Sequence, residues 1–309
     1  MNKFSDEQFI QRKTLRNGGK MGVLRFNYHS EVLGMYTDIT VTYPTGRYTC
    51  GVTDGSESGL PGSGVKKRAY VPGMKLPTVY MLHGGGEDDT VFQRMSRLEY
   101  YAEQNGVMTV TPQVNDSFFL DTRYGIRYFT YLTEELPVLI RSLFASSGAR
   151  EDNYVVGMAM GGNGALQLAM RRPDLYAACV DLSGGIGCTI DTDNLVSQLN
   201  SIGHLPKFQG AFGEAAGIPG SEYDLAVYAK RNKEEGIEVP QLFLAVGKED
   251  FIRDVVRKDR DALLRLGYQI TYEEPEGYAH DWDFWDVYLK KTFDEWLPIT
   301  GRRKGGSAE

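Results

Sequence analysis

The stretch Asn153-Tyr154-Val155-Val156-Gly157-Met158-Ala159-Met160-Gly161-Gly162-Asn163-Gly164 decides how this chain reads. Its first half is apolar and β-branched, which suits a buried strand. Its second half is a glycine-rich turn that opens into a helical segment, residues 161–171. Gly157 and Gly161 stand two residues either side of position 159, the spacing of G-x-S-x-G, in which a sharp strand-to-helix turn lifts a serine to its tip. The tip here is Ala159. Alone, G-x-A-x-G has little specificity: a glycine-rich turn that only packs a helix against a strand has the same spacing.

The flanking chain alternates strands and helices. Strands are expected at residues 22–29, 35–43, 78–82, 107–111, 154–158, 177–182, 241–246 and 268–272. Helices are expected near 90–104, 128–144, 161–171, 252–266 and 282–296, with Pro137 kinking the second or marking a late start. This order predicts a mostly parallel sheet covered on both faces. Residues 21–298 read as one domain. Residues 1–20 read as a flexible extension and 299–309 as a flexible tail. Residues 45–73, rich in Gly, Ser and Pro, read as a long loop or hairpin insertion. Residues 189–236 interrupt the rhythm between two core strands and are a candidate cap over the site.

Chain order then supplies candidate partners for position 159. An acid followed by a histidine is needed, each beyond the C-terminal end of a strand. The strand at 241–246 runs into Gly247-Lys248-Glu249-Asp250, and the last strand is followed by Gly277-Tyr278-Ala279-His280. Asp250 and His280 are the expected acid and base. Glu249 is the competing acid, and Asp250 fits the position better. Helix capping by Asp250 and packing of His280 on Trp282 and Trp285 are the plainer alternatives. Three positions falling into one template argue against both. Acyl transfer also needs backbone N–H groups for the carbonyl oxygen. Met160, after the tip, and Gly85, in His83-Gly84-Gly85-Gly86, are the expected donors, with His83 ordering its loop. The aromatic run 115–131 suggests a pocket wall, with Phe118 and Phe119 as its expected lining.

Composition sets the outer limits. The 309 residues are 41% hydrophobic and 24% charged, with a net charge of −7. Those are ordinary values for a soluble globular chain and argue against a nucleic-acid partner. No apolar run reaches the length of a membrane span, and the polar N-terminus does not read as a secretory leader. A cytoplasmic protein is expected, with secretion left open because a leader already removed would leave no trace. Cys50, Cys179 and Cys188 are too few for a disulfide framework. Cys179 reads as a small core residue, and whether any pair forms is undecided. No metal-ligand spacing is present.

Taken together, these motifs resemble the esterase D branch of the α/β-hydrolases, the group containing S-formylglutathione hydrolase, and within it the bacterial tributyrin esterases. The resemblance runs from about Gly22 to Leu297. It is carried by Val79-Tyr80-Met81-Leu82-His83-Gly84, Asp121-Thr122-Arg123-Tyr124-Gly125, Thr133-Glu134-Glu135-Leu136-Pro137, the turn at 157–162, Gly247-Lys248-Glu249-Asp250 and His280-Asp281-Trp282 with Trp285. It implies an α/β-hydrolase fold and a serine carboxylesterase for short-chain acyl esters, without cofactor. Relatives that deacetylate sugars or release hydroxycinnamates make a carbohydrate esterase the alternative. A small-molecule or carbohydrate-linked ester is the expected partner, and self-association is left open.

The chain departs from that pattern at Ala159, where the family has serine. One reading is a laboratory substitution that traps ligand in an otherwise complete site. The other is a natural pseudoenzyme that binds without turnover. Retention of Asp250, His280 and both amide donors favours the first, because an unselected site accumulates further losses.

Overall fold

A computed structural model describes residues 21–45, 73–185, 192–201 and 203–299. The expectations for residues 1–20, for nearly all of the 45–73 insertion, for the C-terminal tail and for Cys50 and Cys188 lie outside them. The described residues form an eight-stranded sheet with helices on both faces, an α/β-hydrolase architecture. Its strands are β1 (Gly22–Ser30), β2 (Met35–Tyr43), β3 (Thr78–Leu82), β4 (Met108–Pro112), β5 (Asn153–Met158), β6 (Ala178–Leu182), β7 (Gln241–Ala245) and β8 (Ile270–Glu273). They lie in the order β1-β2-β4-β3-β5-β6-β7-β8. The pairs from β4 to β8 are parallel, and β2 is antiparallel to both β1 and β4.

The helices are α1 (Val91–Met95), α2 (Leu98–Asn105), α3 (Leu136–Leu143), α4 (Met160–Arg171), α5 (Thr192–Ser201), α6 (Leu205–Phe212), α7 (Leu225–Glu234), α8 (Arg253–Arg265) and α9 (Trp282–Lys291). Strand side chains alternate between two cores, as a two-residue period requires. Tyr80, Leu82, Val155, Cys179, Leu242 and Leu244 face the core built with α3, α4, α7 and α8. Val79, Met81, Val156, Val180, Phe243 and Ala245 face the core built with α1, α2 and α9. Central strands buried on both sides read as unbroken apolar runs for this reason.

Two helical expectations differ in detail. The segment expected as one helix over 90–104 breaks at Ser96 and Arg97. Ser96 Oγ donates to Phe92 O at 2.6 Å, and the Arg97 amide leaves the helix to donate to Asp286 Oδ1 at 2.9 Å. At 128–144, helical turns Tyr128–Thr130 and Tyr131–Glu135 run into α3, the second of them a π-turn. Pro137 falls in the first turn of α3, where a missing N–H costs little.

Candidate active site

The turn from β5 into α4 brings the chain to Ala159 with φ 50° and ψ −122°, a conformation rare for any L-residue. Both flanking glycines are required by contact. A Cβ on Gly157 would lie 1.9 Å from Gly161 O, and one on Gly161 would lie 2.0 Å from Leu82 O. The backbones of β5, α4 and β3 therefore meet at this point. The Ala159 amide donates to Leu182 O at 2.9 Å, which ties the tip to β6.

Asp250 and His280 come together from the ends of β7 and β8. The two loops are zipped: the Lys248 amide donates to Pro275 O, Glu249 N to Tyr278 O, and Tyr278 N to Glu249 Oε2. Gly247 permits the close approach, since a Cβ there would sit 2.2 Å from Tyr278 O. His280 Nδ1 lies 2.9 Å from Asp250 Oδ2 and 3.1 Å from Oδ1. Glu249, the competing acid, is spent on backbone. Asp250 also accepts the Ile252 amide at 2.9 Å, so it steadies the start of α8 while it holds the histidine. The imidazole sits between Phe251, centroids 4.7 Å apart, and the edge of Trp285, 5.0 Å. His280 Nε2 has no protein partner among the described residues and is the edge available to a ligand.

The loop after β3 presents three successive glycine amides. Gly84 N donates to Glu87 Oε2 at 2.8 Å and Gly86 N to Asp116 Oδ1 at 2.7 Å. Gly85 N, between them, has no protein acceptor among the described residues, and neither has Met160 N at the start of α4. These are the two amides expected from the sequence as donors to a carbonyl oxygen, and one of them stands at a helix N-terminus. Gly84 lies next to the tip: a Cβ there would stand 3.5 Å from Ala159 Cβ.

His83 is fully buried and orders this loop. Val114 N donates to its Nε2 at 3.3 Å, so Nδ1 carries the proton and donates to Gly84 O at 2.8 Å. Burial lowers its pKa, which keeps the ring neutral. Glu87 is an acid that the motifs did not single out. Burial raises its pKa from 4.5, while the Gly84 amide and the Trp282 indole hydrogen-bond to it. It thus joins the glycine loop to the start of α9, two residues after His280. Beneath the site, Asp181 is fully buried and accepts Gly184 N at 2.6 Å. Burial first, then the nearby Asp259 charge, push its pKa up from 3.8 to about 7.

The expected pocket wall requires a correction at Phe119. It has no exposed surface and lies under α4, against Gly164 and His83. It supports the site from behind. Phe118 is 7% exposed and packs edge-on to Phe208 and Phe212 of α6. The 189–236 segment therefore touches the aromatic run 115–131. Lys207 of α6 adds an ion pair, 2.8 Å, to the same Asp116 that holds Gly86. No group of acids, histidines and cysteines among the described residues could hold a metal ion. No helix among them is long and apolar enough to cross a membrane.

The sheet and its covering helices define an α/β-hydrolase fold, with Ala159, Asp250 and His280 on the turn and loops that follow β5, β7 and β8. The family model described as Putative esterase matches residues 67–189 of the chain. An acetyl esterase of Caldicellulosiruptor saccharolyticus is 26% identical over 287 residues, which cover 90% of this chain and 98% of that one. Among solved structures, the fluorophosphonate-binding serine hydrolase FphF of Staphylococcus aureus, substrate bound, superposes with a TM-score of 0.72 at 25% identity. S-formylglutathione hydrolase from the same organism gives 0.70 at 25% identity. Each comparison covers 89% of this chain and 98% of the other.

Proposed function

We propose that this chain is the serine-to-alanine form of a carboxylesterase for short-chain acyl esters, able to hold an ester or its acid and unable to turn it over at the parent's rate. The observation that carries the reading is the Asp250–His280 pair, held by the loops that follow β7 and β8, at the same edge of the parallel strands as the Ala159 turn after β5. The Gly85 and Met160 amides, without a protein acceptor among the described residues, support it. The acetyl esterase relative supports the short acyl group.

In the serine parent, His280 Nε2 takes the hydroxyl proton as oxygen 159 attacks the ester carbonyl. The carbonyl oxygen becomes an oxyanion held by Gly85 N–H and Met160 N–H. Collapse breaks the bond to the alcohol oxygen, which leaves with the proton from Nε2. Water then gives a proton to Nε2 as it attacks the acyl-enzyme; collapse breaks the bond to the serine oxygen, which takes that proton back from Nε2, and the acid is released. Asp250 keeps Nδ1 protonated throughout and stabilises the imidazolium. In the present chain no oxygen stands at position 159, so the first bond does not form.

The test is hydrolysis of p-nitrophenyl acetate by this chain and by Ala159→Ser. The expected gain in kcat is on the order of a million-fold, and Ala159→Ser with His280→Ala loses it. A serine form inert on acetyl, butyryl and feruloyl esters alike would overturn the reading and leave a binding protein on an esterase frame.

A further inference from the structure

The leaving oxygen of the ester must come within hydrogen-bond reach of the group that returns its proton. His280 Nδ1 is held by Asp250, so that group is Nε2, and the first carbons of the alcohol lie over the outer edge of the imidazole. Two aromatic side chains flank that ring. Trp285 is 6% exposed and belongs to the core behind it. Phe251 is 52% exposed, and its centroid is 4.7 Å from His280 with a 52° tilt. It follows Asp250 directly, and the buried Asp250 and Ile252 on either side fix its backbone. Among the described residues its ring meets no other aromatic. An exposed phenylalanine is by itself unremarkable on a protein surface. One held against the imidazole of His280 and open to solvent offers an aromatic surface next to the ring that hands the proton to the alcohol.

We propose that Phe251 is the platform for the alcohol half of the ester and selects alcohols that present a flat ring face, phenols or sugars, over simple alkanols. The proposal rests on the esterase reading and names the half of the substrate that reading leaves open. Aromatic side chains favour flat partners, and the short acyl group, anchored by the oxyanion donors, is too small to reach this face. The acyl-enzyme is the same for every acetyl ester. A residue that touches only the alcohol therefore acts on kcat/KM for formation of that intermediate and leaves its hydrolysis alone.

The experiment compares phenyl acetate, a monoacetylated methyl glycoside and methyl acetate as substrates of Ala159→Ser, with and without Phe251→Ala. The expected result is a loss in kcat/KM of about 3- to 10-fold on one or both ring esters, less than about 2-fold on methyl acetate, and recovery in Phe251→Tyr. Which ring ester responds tells phenol from sugar. An equal loss on all three esters would make Phe251 a support for His280 and overturn the proposal, as would no loss on any. A serine form inactive throughout would be a failure of the esterase reading. Calorimetric binding of phenyl acetate and the acetylated glycoside to the Ala159 chain and its Phe251→Ala variant then decides the platform separately: weaker binding upholds it, and equal binding of both ligands overturns it.

Discussion

Asp250 turns both carboxylate oxygens toward a single nitrogen, His280 Nδ1, at 2.9 and 3.1 Å, and the Asp250 side chain has no exposed surface. The contact fixes the tautomer with Nδ1 protonated and leaves Nε2 as the acceptor. Asp250→Asn in the serine form keeps the shape and removes that preference. The amide can present its N–H to Nδ1 and drive the proton to Nε2, where it blocks acceptance from the serine. A loss in kcat of about 10,000-fold at neutral pH is expected, with KM little changed. Steady-state kinetics on p-nitrophenyl acetate check it. A loss under about tenfold would mean that Asp250 serves only to start α8.

Ala159 carries backbone strain of its own. At φ 50° and ψ −122° its Cβ crowds the backbone, and such conformations cost roughly 1–3 kcal/mol. Glycine adopts them freely but adds about 0.4–1 kcal/mol of unfolded-chain entropy. Ala159→Gly is therefore expected to stabilise the fold by about 1 kcal/mol, and Ala159→Ser to leave stability nearly unchanged. Urea unfolding of the three forms checks this. A glycine variant less stable than the present chain would show that the turn is relaxed as it stands.

The sharp turn at Ala159 and the Asp250–His280 pairing were legible because each residue sits at a punctuation mark of the chain: two glycines around the tip, and the polar loops after two apolar strands. Phe119 was not. The pattern shows an aromatic run, but the direction of each ring depends on the sign of φ. Phe118 and Phe119 are both left-handed, at 54° and 61°, which no residue-type preference announces. Phe119 is thereby turned under α4. Glu87 was hidden in the acidic run Glu87-Asp88-Asp89, where only the fold tells which carboxylate meets the glycine loop. The break at Ser96–Arg97 depends on Asp286, nearly two hundred residues away, a contact beyond any local periodicity. Phe251 carried no signal in the sequence, because its contact with His280 is supplied by the fold.

Asp181 makes stability depend on pH. Its ordinary value is 3.8, and burial with the neighbouring Asp259 and Asp250 charges raises it to about 7. Between those values the folded protein holds a proton that the unfolded chain has lost. The contribution is fully present below about pH 4 and is lost as pH rises through about 7. At about 1.4 kcal/mol per pH unit it is bounded at roughly 4 kcal/mol. The melting temperature attributable to this group is expected to fall from pH 5 to pH 8. Asp181→Asn imitates the protonated acid, keeps the oxygen that accepts Gly184 N, and is expected to flatten that slope. Calorimetric melts across the range test it, and parallel slopes for both proteins would refute it.

Glu87 occupies the Gly84 amide and faces the Trp282 indole, so that of the three glycine amides Gly85 N is left without an acceptor among the described residues. Cutting the side chain back to alanine frees Gly84 N–H and unties the loop from α9, so the Gly85 donor loses its fixed aim. That donor meets full negative charge only in the transition state, so the loss belongs in kcat and not in KM. In the serine form, Glu87→Ala is expected to lower kcat about tenfold or more, within the range seen when an oxyanion donor is lost. Glu87→Gln keeps an acceptor oxygen for Gly84 and should restore most of it. Burial raises the Glu87 pKa above 4.5, so its contribution to stability is present below that value and lost as pH rises through the folded one. Gln carries no charge to bury, so its melting temperature at pH 7 should not fall below that of the glutamate form. Should Gln prove as slow as Ala, the negative charge itself would be what the site needs, and the positioning account of Glu87 would fail.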